Sequence, residues 1–169
     1  MNHRKQYNIK ITSSRTAERE FPKGKTGLLF CKDCNAVYYK KSWHRSLRAY
    51  KNLREDLAVA FSLCTACKMI KNKQFEGEII IKNVPEKNSN DLTHLIEAFC
   101  HRAYERDPMD RLINLEKTKD GFIATTTENQ LAVKLAKKIK EVFKKVDYKI
   151  SYSSSPSDVA YVVLTFKQF

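Results

Sequence analysis

The sequence predicts an α+β chain of two units, and three observations carry that prediction. Cysteines fall in two C-x-x-C pairs in the first 70 residues, the net charge breaks sharply near Phe75–Gly77, and the remainder alternates strand-like and helix-like patterns. At 169 residues and 42% apolar content the chain has room for one domain or two small ones and enough core to exclude wholesale disorder.

The net charge is +13, unevenly spread. Residues 1–27 carry seven Lys/Arg and two Glu, residues 28–75 carry ten basic and three acidic side chains, and residues 76–169 carry fifteen and fourteen. Almost all of the excess lies in the front half, which favours a polyanionic partner for that half. Residues 1–27 hold Arg4, Lys5, Lys10, Arg15, Arg19, Lys23 and Lys25 with little apolar periodicity, and read as a flexible basic arm. No run of 18 apolar residues and no signal-like stretch occurs, so a cytoplasmic protein without a membrane partner is expected.

Residues 28–75 are read as a metal ribbon. Cys31-Lys-Asp-Cys34 and Cys64-Thr-Ala-Cys67 each place two thiolates on one tight turn, and two such turns complete the closed four-thiolate geometry of a structural zinc. Disulfides do not suit a cytosolic chain, and a thioredoxin-like motif needs only one pair. With four cysteines present, His44 is not required as a ligand. Cys100 has no partner and reads as a small buried hydrophobe.

The 29-residue gap between the pairs calls for a folded insert. Leu47, Tyr50, Leu53, Leu57 and Phe61 recur at helical spacing, with Arg45, Arg48 and Lys51 and then Glu55 and Asp56 opposite, so a helix is expected. Ahead of it, Tyr38-Tyr-Lys-Lys-Ser-Trp-His-Arg45 interleaves rings and cations, a composition that suits stacking on bases and contact with phosphates. Lys40, Lys41, Trp43, Arg45, Arg48, Lys51, Lys68, Lys71 and Lys73 are the expected nucleic-acid contacts. Val37, Tyr38 and Trp43 serve equally well as the ribbon's own small core.

Residues 76–169 read as βαββαβ plus one strand. Glu78–Lys82 is a buried strand, and Asn90 is the expected N-cap of a helix striped by Leu92, Leu95, Ile96, Phe99 and Ala103 that ends at Asp107-Pro108. Asp120-Gly121 joins Leu112–Lys117 to Phe122–Thr126 as a hairpin. Thr127-Glu-Asn-Gln130 has capping-box form and opens a helix with Leu131, Leu135, Ile139, Val142 and Phe143 inward. Tyr148–Ser153 and Val159–Phe166 are the last strands. This order is that of a ferredoxin-like split βαβ unit. An RNA-recognition motif shares it, but Ile80 stands where a stacking ring belongs, and Gly121-Phe122-Ile123-Ala124 keeps one ring and loses the next. The lysines of the second helix, Lys134 to Lys145, read as a solvated face.

No phosphate loop, HExxH or nucleophile–base constellation is present, and His94 and His101 share a helix face without further partners, so no catalytic residue is assigned and a non-enzymatic protein is expected. Phe30–His44, Leu63–Cys67 and the run Thr125-Thr-Thr-Glu-Asn-Gln-Leu-Ala132 resemble small bacterial zinc-ribbon proteins, which are similar to the N-terminal region of the archaeal and eukaryotic NMD-type adaptor of the large ribosomal subunit. The resemblance covers roughly residues 28–146. It implies one structural zinc at Cys31, Cys34, Cys64 and Cys67 and a ribosomal or rRNA partner, although the adaptor family carries further cysteine pairs and domains that this chain lacks. The expected function is binding of rRNA or the large subunit, in assembly, storage or hibernation. The alternatives are a protein-interaction adaptor, such as a transcription accessory, docking through the ferredoxin-like sheet, and a redox or metal-transfer protein.

Overall fold

The computed structural model describes residues 27–48, 50, 57–154 and 158–167. The expected arm, apart from Gly27, lies outside them. The front half forms strands β1 (Gly27–Cys31), β2 (Val37–Tyr39), β3 (Ser42–His44) and β4 (Ala58–Ser62), in the sheet order β3-β2-β1-β4, followed by helix α1 (Thr65–Lys71). β1–β2 and β2–β3 are antiparallel, whereas β4 runs parallel to β1 from Gly27↔Ala58 to Cys31↔Ser62. That parallel register carries the second cysteine pair to the same end of the sheet as the first.

Strand β4 corrects the expected insert. Phe61 lies on a strand and is 63% exposed, and the described residues 45–48, 50 and 57 contain no helix. Leu53, Lys51, Glu55 and Asp56 fall outside the described residues. The pattern was ambiguous at source: Leu57 and Phe61 fit a helical i, i+4 spacing, but Leu57, Val59 and Phe61 also alternate as a strand does. Pairing with the apolar β1 segment Leu28–Phe30, whose backbone groups need partners, decides between them.

The back half comprises β5 (Gly77–Lys82), α2 (Glu86–Arg106), β6 (Leu112–Thr118), β7 (Gly121–Thr126), α3 (Asn129–Phe143), β8 (Val146–Tyr152) and β9 (Ala160–Phe166). Alternate residues of each strand turn toward the helices. Ile79, Ile81, Phe122, Ala124, Val162 and Leu164 thereby meet Leu92, Ile96 and Cys100 of α2 and Leu131, Leu135 and Ile139 of α3 in one core. Cys100 is 3% exposed within it, as expected of a small hydrophobe. Two glycines are set by close approach. A Cβ at Gly77 would run into the side chains of Thr126 and Ala132, and one at Gly121 into the Ile81 carbonyl.

The mixed α+β character and the element order along the chain are as expected, but the sheet order is not that of a simple ferredoxin-like unit. It runs β6-β7-β5-β9-β8. β7 lies between β5 and β6, as in a split βαβ unit, yet the last strand β9 pairs in parallel with β5 and pushes β8 to the edge. The outward residues explain the exchange. β9 presents Tyr161 and Val163 on the face away from the helices, whereas β8 presents Asp147, Lys149 and Ser151, which suit an edge. The ring kept at Phe122 is buried in the helix-side core, while Ile80 lies on the uncovered face, so these two signature positions offer that face no stacking ring.

Three local expectations change. Helix α2 starts at Glu86, with Pro85 as N-cap, rather than at Asn90; proline's fixed φ and missing N–H are tolerated there, and Glu86 complements the helix dipole. The capping box does not form. The Thr127 hydroxyl donates to the Met109 carbonyl at 2.5 Å and accepts from the Arg111 amide at 2.8 Å, tying the start of α3 to the segment before β6. Val142 is 47% exposed, whereas Phe143 packs against Phe166.

Carboxylates gather at this end of α3. Burial, then Glu76, Asp110 and Asp107, push Glu128 up to about 7. A carboxyl that is easier to protonate when folded contributes stability that is fully present below the ordinary glutamate value and lost as pH rises through about 7. Glu128→Gln should therefore leave the melting temperature near pH 4 unchanged and raise it above pH 7; thermal denaturation across that range checks this, and an equal shift at both ends would contradict it.

Candidate metal centre

Both cysteine pairs sit at one end of the β1–β4 parallel pair. Cys31 closes β1, and Cys34 follows on a turn in which the Cys31 amide donates to the Ala36 carbonyl and the Asn35 amide to the Cys31 carbonyl. Asn35 takes a left-handed φ of 59°, one of the conformations asparagine tolerates. Cys64 is the N-cap of α1 and Cys67 lies in its first turn.

The four Sγ atoms lie within 4.8 Å of one another, an arrangement compatible with a single metal ion. Cys34 Sγ and Cys64 Sγ are 3.7 Å apart. A tetrahedron with zinc–sulfur bonds of about 2.3 Å has edges of about 3.8 Å. Backbone amides already point at the sulfurs, Cys64 N–H to Cys31 Sγ at 3.2 Å and Cys67 N–H to Cys64 Sγ at 3.4 Å. Burial pushes the Cys64 and Cys67 thiols up, Cys67 to about 12. At Cys31 burial acts the same way, but amide donors from Cys64, Cys34 and Asp33 outweigh it and bring that thiol down to about 6. Four mutually close sulfurs carry their negative charge together only around a cation, which is the chemistry a bound dication supplies.

Little apolar surface supports this unit. Its buried cluster is Cys31, Ala36, Cys64, Ala66 and Cys67, with Cys34, Trp43, Leu63 and Met109 packed against it. Met109 comes from the α2–β6 connection, so the ribbon docks on the second unit through the metal end. Sequence reasoning missed both this contact and helix α1; the only signal for the helix was Cys64-Thr65 preceding Ala66–Lys71.

The sequence-expected nucleic-acid residues separate into distinct environments. Lys40 and Lys41 form the two-residue tip of the β2–β3 hairpin, with φ of 50° and 68° as a type I′ turn requires, and both are exposed. Lys40 lies over the rings of Tyr39 and Tyr50 at 5.5 and 5.7 Å. Trp43 meets Tyr38 edge-on, with centroids 5.3 Å apart, and packs on the cysteine cluster. Arg48, Lys68 and Lys73 are exposed, and Lys71 pairs with Asp33 at 3.0 Å, linking the two knuckles. Lys51 lies outside the described residues. His44 Nε2 faces the Tyr39 carbonyl at 3.0 Å and stands apart from the sulfur cluster. His94 and His101 are exposed on α2.

Arg45 turns to the second unit. Its guanidinium donates to the Tyr104 hydroxyl at 2.8 Å and to the Cys34 carbonyl at 3.4 Å, pairs with Glu105 at 3.3 Å and lies over the Tyr104 ring, which Arg111 also approaches. It thus joins the first knuckle to the C-terminal end of α2. No protein-family model and no curated protein matches the chain.

Elemental analysis of the native chain should give one metal ion per molecule, and a strong chelator should abolish the near-ultraviolet signal of Trp43, the single tryptophan, while the helical far-ultraviolet signal of the second unit persists. Arg45→Ala should lower stability to urea by about 1 kcal/mol, given a half-exposed ion pair and a cation–π contact, and Arg48→Ala should leave it unchanged.

Proposed function

We propose that this chain is a non-enzymatic protein that uses its four thiolates to hold one structural zinc ion and its basic ribbon to dock on ribosomal RNA of the large subunit, as an assembly, storage or hibernation factor in the cytoplasm. The convergence of the four sulfurs carries the reading, because it makes one rigid platform of two knuckles whose surroundings are basic. Lys32, Lys40, Lys41, Arg48, Lys68 and Lys73 are all exposed around that platform. Four sulfur donors complete a tetrahedron and leave no position for a substrate, which favours a structural over a catalytic metal. Four zinc-bound thiolates bring a net −2 to a segment whose formal charge is +7 over residues 28–75, so the platform stays cationic. The hairpin tip supports the same use. Two lysines at left-handed φ, where Asn-Gly is preferred, hold two charges at the exposed tip of the β2–β3 hairpin.

A second reading rests on the uncovered sheet face, where Ile123, Ile80 and Val163 lie side by side across β7, β5 and β9. This apolar row suits a protein partner, and an adaptor role follows from it; pull-downs that survive nuclease treatment would favour that role.

For the RNA reading, six to ten phosphate contacts should weaken binding about 10³–10⁵-fold between 50 and 200 mM salt. Sedimentation should show the tagged zinc-loaded protein travelling with the large subunit in low salt and leaving it in high salt. Lys40→Glu combined with Lys41→Glu should reduce RNA affinity and flatten the salt slope without altering metal content. An affinity flat across that salt range would discard the RNA reading.

A further inference from the structure

At the end of the back half away from the metal centre, three connections and the tail of β9 enclose a cleft of about 870 Å³. Asn83, Val84 and Pro85 of the β5–α2 loop form one wall, Lys119 and Asp120 of the β6–β7 turn another, and Phe143, Lys145, Phe166 and Lys167 the rest, with Lys87 and Asn88 of α2 at the rim. The loops are cross-tied. Val84 N–H donates to the Asp120 carbonyl at 3.2 Å and Lys167 N–H to the Lys145 carbonyl at 3.0 Å, so the cleft is a joint feature of four chain segments.

From these features we propose that the cleft is a second anion site, which takes a phosphorylated nucleotide, its phosphate among the lysines and its base against Phe143.

The charge arrangement carries the argument. Residues 76–169 are nearly neutral in total, yet four lysines and a single carboxylate line this cleft. Lys167 is turned by Asp147 at 3.1 Å, and beside the cleft Glu86 pairs with Lys117 at 3.5 Å. At the other end of the unit Glu76, Asp110 and Asp107 lie close enough to Glu128 to favour its protonated form. The separation follows α2, whose 21 residues span about 30 Å from Glu86 at the cleft to Arg106 beside the ribbon contact. A unit neutral in sum therefore lines this one cleft with a local excess of positive charge.

Size and lining select the ligand. The volume falls within the range of small-molecule sites, too large for a bare inorganic anion to fill. Val84, Pro85 and Phe143 supply a partly apolar wall, Phe143 held edge-on to the buried Phe166 at 5.3 Å. Pro85 offers no side-chain cap, and although the Asn88 amide donates to the Pro85 carbonyl at 2.8 Å, the start of α2 and its dipole face the same mouth. Lysines for the phosphate and a half-buried ring for the base match a nucleotide, whether free or within a single strand of RNA.

The test is an amide-resolved NMR titration of the full zinc-loaded chain with three probes: AMP, a single-stranded hexaribonucleotide and inorganic phosphate. Saturable shifts at Asn83, Lys87, Asn88, Lys119 and Asp120 with AMP are expected below about 10 mM, and with the hexamer as well if the source is an RNA strand. Shifts with AMP alone identify a free nucleotide, and shifts with the hexamer alone identify RNA. Lys87→Glu with Lys119→Glu should weaken either by roughly tenfold or more while the melting temperature and metal content are kept. Absence of saturable shifts with both nucleotide probes, or shifts that survive the double substitution, overturns the proposal. Equal affinity for inorganic phosphate overturns the nucleotide assignment. Because the readout is at the cleft amides, it separates from the RNA reading of the ribbon: loss of RNA binding by the hairpin variants leaves the cleft shifts in place.

Discussion

The meeting of four sulfurs at one end of a short parallel strand pair is the constraint on which the front half rests. Four strands of three to five residues and one two-turn helix bury only Leu28 and Val37 beyond cysteine and alanine side chains among the described residues. An apolar core of that size does little to offset the entropy of ordering some 40 residues, and a metal ion held by the four sulfurs would supply the cross-link that burial does not. The backbone is already arranged for it. Amides of Cys64 and Cys67 point at sulfur, and Asn35 accepts a left-handed φ to close the first knuckle. The second unit has the opposite economy, with two helices packed over five strands and a continuous core of isoleucine, leucine, valine and phenylalanine.

The two units are joined at the metal end. Met109 covers the cysteine cluster, and Arg45 bonds the Cys34 carbonyl and the Tyr104 hydroxyl at once. Loss of the metal would therefore be felt at the C-terminus of α2, and the segment Met109–Arg111 would carry it onward to the start of α3 through Thr127. An arginine that the sequence offers as one more phosphate contact is in this position chiefly a connector, with its charge shared by a carboxylate and an aromatic ring.

Charge behaves differently in the two halves. In the ribbon the excess is compositional, so any fold of those residues would be basic. In the second unit it is positional: helix α2 places its start among lysines, and its far end lies by carboxylates that favour the protonated form of Glu128. Composition sums over space and cannot register such a local excess, which is why the back half reads as electrically bland until the strands are arranged.

The amino-acid sequence alone determined the cysteine set, the alternation of strands and helices after residue 76, the Asp120-Gly121 hairpin and the burial of Cys100, because each follows from local spacing or from the period of apolar residues. Tertiary structure decided the rest. Leu57 to Phe61 satisfied two periods at once, and only the neighbouring strand β1 chose between them. The place of β9 inside the sheet depended on which strand carries the more apolar outward residues, Tyr161 and Val163 against Asp147, Lys149 and Ser151, a comparison between segments rather than a property of one. Thr127 abandoned its cap because partners distant in sequence, Met109 and Arg111, were nearer. Local chemistry proposes a small set of states for each segment, and long-range pairing selects among those of similar energy.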